Sequence, residues 1–231
     1  SLWLLRDAER VGLACDEQVA SAVVADLSRF KIRVDVNIAE EARPIWDIWG
    51  PDALELSPAA GLEWSDDGEI LRASLPFRHT ALPRVVVVGE QPPVALVAVD
   101  AVDAVRIEIG EPTMGVDLTE RTIPQEMGDI AAAVDFTKGC YLGQELVARI
   151  DSRGHVNRRL MGVIFDGATI PTPGEEVLHD GASVGLVSST AWSGALQGPI
   201  GLGMLRIETE PGDRVTVGGV TGRATALPIQ A

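Results

Sequence analysis

The chain has 231 residues, 46% of them hydrophobic, enough to bury the core of one large domain or two small ones. Its 34 acidic residues against 19 basic ones give a net charge of −15, which argues against direct nucleic-acid binding or attachment to an acidic membrane surface. No apolar run reaches the roughly 20 residues of a membrane span, no N-terminal pattern reads as a signal peptide, and Cys15 and Cys140 are too few and too far apart for a disulfide framework or a metal knuckle. The expected compartment is a reducing cytoplasm.

The chain opens on SLWLL, without Met and already in strand-like sequence, so sequence upstream of Ser1 is expected. Asp16 reads as a helix N-cap, and Val19, Val23, Leu27 and Phe30 follow as one apolar stripe at helical spacing. Ile32, Val34, Val36 and Ile38 alternate with polar residues and predict a half-buried strand. Residues 39–68 are mixed, with Trp46 and Trp49 read as packing aromatics. Strands are expected at 69–75 and 84–89, and RVVVVG is apolar enough to lie centrally in a sheet. A helix is expected over about 94–109, stopped by Gly110.

The stretch KGCYLGQE, residues 138–145, is chemically unusual for this chain. It holds the single Tyr, one of two Cys and one of two Lys, whereas the other seventeen basic residues are Arg. A lysine amid so many arginines suggests a position that wants a compact ammonium rather than a guanidinium fork. Gln144 to about Arg153 then reads as a helix. A helix N-terminus presents free N–H groups and a partial positive charge. Lys138, Arg149, Arg153, Arg158 and Arg159 face only Glu145 and Asp151 within residues 138–159, a reversal of the overall charge. This reads as a solvated basic face or as an anion site. Cys140 reads as a reactive thiol, favoured by a nearby ammonium and a helix start, or, as free Cys more often is, as a small buried hydrophobe.

Other catalytic patterns are absent: no P-loop, no nucleotide-binding glycine fingerprint, no Gly-x-Ser-x-Gly, and no ligand spacing among His79, His155 and His179. Glu126, in PQE, reads alone as a helix-start acid. After Gly154 the sequence turns rich in Gly, Val and Thr. Its short apolar runs, regularly broken by turns, predict a small antiparallel barrel or sandwich. The boundary is placed near 154–158, giving a core of 1–156 and a C-terminal domain of 157–231.

KGCYLGQELVAR resembles the signature of the YgfZ-type folate-binding proteins, relatives of the aminomethyltransferase (T-protein) of the glycine cleavage system. VRIEIGEP at 105–112, TIPQEM at 122–127, VDFTKGCY, Arg149 and RRL extend the resemblance over most of 70–231. It implies an α+β fold, with a T-protein-like folate-binding core of ferredoxin-like halves followed by a small antiparallel β-barrel. The family has a segment upstream of where this chain starts, carrying part of the folate cavity wall and the aminomethyltransferases' catalytic Asp. The core is therefore expected to lack its N-terminal part.

The implied function is tetrahydrofolate binding in support of iron–sulfur cluster assembly or repair and of tRNA modification, with iron–sulfur proteins as partners, and not glycine cleavage. Lys138 and Cys140 would carry the signature chemistry. Tyr141, Gln144 and Glu145 would contact ligand or position the loop. Glu126 would accept from a pterin edge, Arg149 would meet the glutamate tail or brace the loop, and Arg106 would lie in the binding region. Two other readings stay open: a folate-dependent aminomethyl or demethylating transferase, and an interaction module without ligand.

Overall fold

The computed structural model describes residues 2–6, 9–15, 17–56, 64–66, 68–75, 77, 80–128, 134–141 and 143–230. Residues cluster into two units, 1–77 with 81–95, and 78–80 with 96–231.

In the first unit, β1 (Leu2–Arg6) and β2 (Val11–Cys15) form an antiparallel hairpin. Helix α1 spans Glu17–Phe30. A four-stranded antiparallel sheet follows from β3 (Ile45–Trp49), β4 (Trp64–Asp66), β5 (Leu71–Ser74) and β6 (Arg84–Val88), in the order β3-β6-β5-β4. The central place expected for RVVVV is found. Val85 and Val87 pack with Ala53 on one face, and Val86 with Leu71 and Ala73 on the other. A strand buried on both faces needs a continuous apolar run rather than an alternating one. Val87→Ala removes the equivalent of two buried methylenes and should cost about 1.5–3 kcal/mol once the cavity is included. Urea denaturation midpoints would measure it.

Several expectations fail here. Residues 31–44 form no strand, and Ile32, Val34 and Val36 are exposed. Alternation alone does not make a strand, because its backbone groups need a paired neighbour and none is present among the described residues. The α1 stripe is also uncovered: the helix buries no residue, and Val19, Leu27 and Phe30 are exposed. Its expected cap, Asp16, lies outside the described residues. Trp46 and Trp49, expected as core or loop-packing aromatics, belong to β3, where Trp46 packs against the Ala53, Val85 and Val87 cluster. Arg84, opposite Trp49, holds Asp47 of the same strand through Nε at 2.9 Å.

The second unit begins with α2 (Val99–Glu108), later than expected, since residues 94–98 follow Pro92-Pro93 and stay extended or turned. Gly110 ends it as predicted, with φ +75. A short 3-10 helix covers Pro124–Met127, and α3 covers Gln144–Arg153 as expected. Six strands then close an antiparallel barrel: β7 (Arg158–Phe165), β8 (Glu176–His179), β9 (Ala182–Ser193), β10 (Gly198–Arg206), β11 (Arg214–Val217) and β12 (Val220–Thr225), in the order β10-β7-β12-β11-β8-β9. Alternation is explicit along β7. Met161, Val163 and Phe165 join Val177, Val187, Val215 and Val217 in the interior, whereas Leu160 joins Ile200, Leu202 and Ile229 against Ala104 and Ile107 of α2.

Beside this apolar seam, α2 is tied to the barrel through charge. Asp117, its side chain fully buried, takes Arg106 Nη1 at 2.8 Å and the Thr113 N–H at 2.8 Å on one oxygen. On the other it takes the hydroxyls of Ser188 at 2.5 Å and Ser189 at 2.6 Å. Consecutive strand residues normally face opposite ways. Here Leu202 pairs Ser189 and Gly203 pairs Val187, so Ser188 is the extra residue of a β-bulge, which turns both hydroxyls to one carboxylate.

Candidate functional site

The unusual octapeptide enters from a turn built by Asp135. Its Oδ1 accepts from the Thr137 hydroxyl at 2.7 Å, the Thr137 N–H at 2.8 Å and the Lys138 N–H at 3.3 Å. These bonds, led by the one from the Thr137 hydroxyl, hold the Asp135 carboxyl below its ordinary value. A depressed carboxyl favours the ordered turn above its unfolded pKa, and that preference is lost as pH falls through the folded pKa. Acidification below about pH 3.8 should therefore loosen residues 135–138. Hydrogen exchange at the Thr137 and Lys138 amides, normalised for intrinsic rates, should show protection falling there, and Asp135→Ala should already show it at neutral pH.

Next in the loop, the Lys138 ammonium sits 4.8 Å from the centre of the Tyr141 ring. The chain's one tyrosine thus serves as a platform for one of its two lysines, at a strength of about 0.5–1 kcal/mol for an exposed pair. Cys140 is a free, exposed thiol, which corrects the expectation of a small buried hydrophobe. Gly143 adopts φ +85 at the start of α3, and its carbonyl receives Leu146 N at 3.1 Å and Val147 N at 3.2 Å. A Cβ at Gly143 would meet nothing within 4 Å, so backbone conformation, not crowding, calls for glycine there. Val147 is the buried anchor of α3. Its carbonyl accepts the Gln125 amide at 2.8 Å, fastening α3 to the PQE turn.

Cys140, Tyr141, Gly143, Gln144, Glu145, Leu146 and Arg149 line one open concavity of about 550 Å³. Five of the eight residues singled out from the sequence therefore meet at one place, with Lys138 reaching it through the Tyr141 ring. The remaining two do not line it. Glu126 is buried, accepting Arg158 Nε at 2.8 Å and the Ile123 N–H at 3.1 Å. Arg106 belongs to the Asp117 network and also holds Asp103 at 2.6 Å.

The expected basic cluster is partly spent in the same way. Arg158 is paired with Glu126, and Arg159 with Glu210 at 3.2 Å and the Thr209 carbonyl at 2.7 Å. The Arg153 side chain and Leu142 lie outside the described residues. Sequence reading missed Asp135, Thr137 and Gln125. Leu146 is half exposed at the concavity. The Asp-x-Thr spacing at 135–137 was the available signal for the turn.

Among the described residues, no group of three or more His, Cys, Asp or Glu could hold a metal ion, and no helix is long and apolar enough to cross a membrane.

Residues 158–230 match the family of the glycine cleavage T-protein C-terminal barrel domain. The chain is similar to the mitochondrial iron–sulfur cluster assembly factor IBA57 of Mus musculus, at 31% identity over 211 residues, covering 87% of this chain and 57% of that protein. It is also similar to the tRNA-modifying protein YgfZ of Cronobacter sakazakii, at 39% identity over 75 residues, covering 32% of this chain and 23% of that one. Among solved structures, the aminomethyltransferase T of the Bartonella henselae glycine cleavage system superposes with a TM-score of 0.81 at 19% identity, covering 98% of this chain and 71% of that one. The chain spans about half the length of the IBA57 proteins it matches.

Proposed function

The chain belongs to the family of proteins like YgfZ and the glycine cleavage T-protein, and from that membership we propose that it is a tetrahydrofolate-binding accessory factor supporting iron–sulfur proteins and tRNA modification. The observation that carries this reading is the gathering of Cys140, Tyr141, Gln144, Glu145 and Arg149 around one concavity at the start of α3. Its lining suits a reduced folate. The Tyr141 ring and Leu146 offer apolar surface to a flat heterocycle. The Gln144 amide both donates and accepts, and the Glu145 carboxylate accepts from adjacent N–H groups of a pterin edge. Arg149, one turn further along α3, offers a cation for the glutamate carboxylates.

The chain's own residues divide the remaining work. Lys138 stands over the Tyr141 ring and carries positive charge at the rim. Cys140 presents an exposed thiol, the soft ligand type that iron–sulfur clusters take, to a client cluster as cargo. Glu126 braces the PQE turn through Arg158 and reaches a pterin only if that ion pair opens.

Expression in a bacterial strain deleted for its own YgfZ protein tests the role. Restored activity of an iron–sulfur enzyme is the expected result. Soluble, folded protein that restores nothing would contradict it.

A further inference from the structure

A second concavity, of about 440 Å³, lies between the 116–122 segment and strands β7, β9 and β10 of the barrel unit, and shares no lining residue with the first. Two arginines line it, Arg158 on β7 and Arg206 on β10, and they are direct partners across the ladder. Like charges directly opposite one another destabilise a strand pair. Arg158 is compensated, since its Nε and Nη2 face the two oxygens of Glu126 at 2.8 and 3.5 Å. The one acidic lining residue, Asp117, is likewise committed to Arg106 and three further donors. Arg206 has no side-chain hydrogen bond or ion pair among the described residues, in a chain whose net charge is −15. Around it the surface is mixed. Val116 and Leu186 are half exposed, Met204 lies beside them, and the Thr119 and Thr122 hydroxyls stand at the edge.

We propose that this concavity binds a small organic anion, its carboxylate or phosphate held by the guanidinium fork of Arg206 with Arg158 beside it, and its apolar body laid on Val116, Leu186 and Met204. A planar fork suits two acceptor oxygens at once. An anion there gives Arg206 the kind of partner that Glu126 already gives Arg158. The volume falls within the range of small-molecule sites. None of the residues assigned to the folate site takes part, so the two proposals stand or fall separately.

The test is amide NMR of the whole chain titrated with phenylphosphate, with phenylacetate and with neutral benzyl alcohol, at constant ionic strength. Either anion should give saturable shifts at Val116, Leu186 and Arg206 in the low millimolar range, phosphate and carboxylate being separated by their two titrations. Benzyl alcohol should leave those amides unmoved. Arg206→Gln should weaken binding by roughly tenfold, the scale of one lost charge-assisted contact, and Arg206→Lys by less. Arg206 is exposed and, among the described residues, unpaired, so both variants should keep the parent's melting temperature and shift pattern elsewhere. Absence of saturable shifts, equal binding by Arg206→Gln, or equal shifts with benzyl alcohol would overturn the proposal. Tighter binding of an aspartate-rich peptide would overturn the assignment to a small ligand.

Discussion

Cys140→Ala is expected to leave the denaturation midpoint within about 0.5 kcal/mol of the parent and to abolish complementation of a strain lacking the factor. The thiol is exposed and free, so its removal opens no cavity. Lys138→Met should behave alike. Its main described contact is the approach to the Tyr141 ring at 4.8 Å, and the methylenes of Met still cover that ring while the charge is lost. Paired urea denaturation and iron–sulfur enzyme assays separate function from folding. Full complementation by Cys140→Ala would make the signature structural. A large loss of stability would mean that the loop packs more tightly than its exposure indicates.

Asp117→Ala should give the largest loss of stability, up to about 3–5 kcal/mol, because it takes the buried carboxylate from Arg106 and leaves it only the partly exposed Asp103. Arg106, with only 12% of its side chain exposed, would lose the carboxylate facing Nη1, the Ser189 hydroxyl would lose its acceptor, and Ser188 would keep only the Leu202 carbonyl at 3.2 Å. The seam between α2 and the barrel should loosen first. Replacing the pair together, Arg106→Met with Asp117→Leu, should cost less than the two single changes summed, with a coupling of about 0.5–3 kcal/mol. Urea denaturation of the four proteins closes the cycle. Additive losses would show that the ion pair does not tie the seam.

What could be read from the sequence depended on how locally each feature is encoded. The barrel strands announce themselves because inward and outward residues alternate within a few positions, as along β7. β6 does so because burial on both faces leaves no room for a polar residue. The octapeptide stood out by composition, and α3 by its spacing.

Features set by distant partners were hidden. β3 carries Asp47 and follows Pro44, and it becomes a strand because β6 pairs with it and Arg84 neutralises its aspartate. The false strand near Ile32–Ile38 has the right period but no neighbour. Glu126 looked available because its partner, Arg158, lies 32 positions later. Arg106 looked like a binding residue because Asp117 and the bulge at Ser188 that commit it are distant in sequence or invisible to periodicity.

Calorimetric titration of the protein with tetrahydrofolate, repeated on Gln144→Ala and Arg149→Ala, decides whether the concavity at the start of α3 takes a reduced folate. Saturable heat with one site per chain is the expected result. Each variant should weaken binding by roughly tenfold, as expected for losing a hydrogen-bonding or charged contact to ligand. No heat at millimolar ligand from folded protein, or variants that bind as tightly as the parent, would contradict the assignment of this concavity as the folate site.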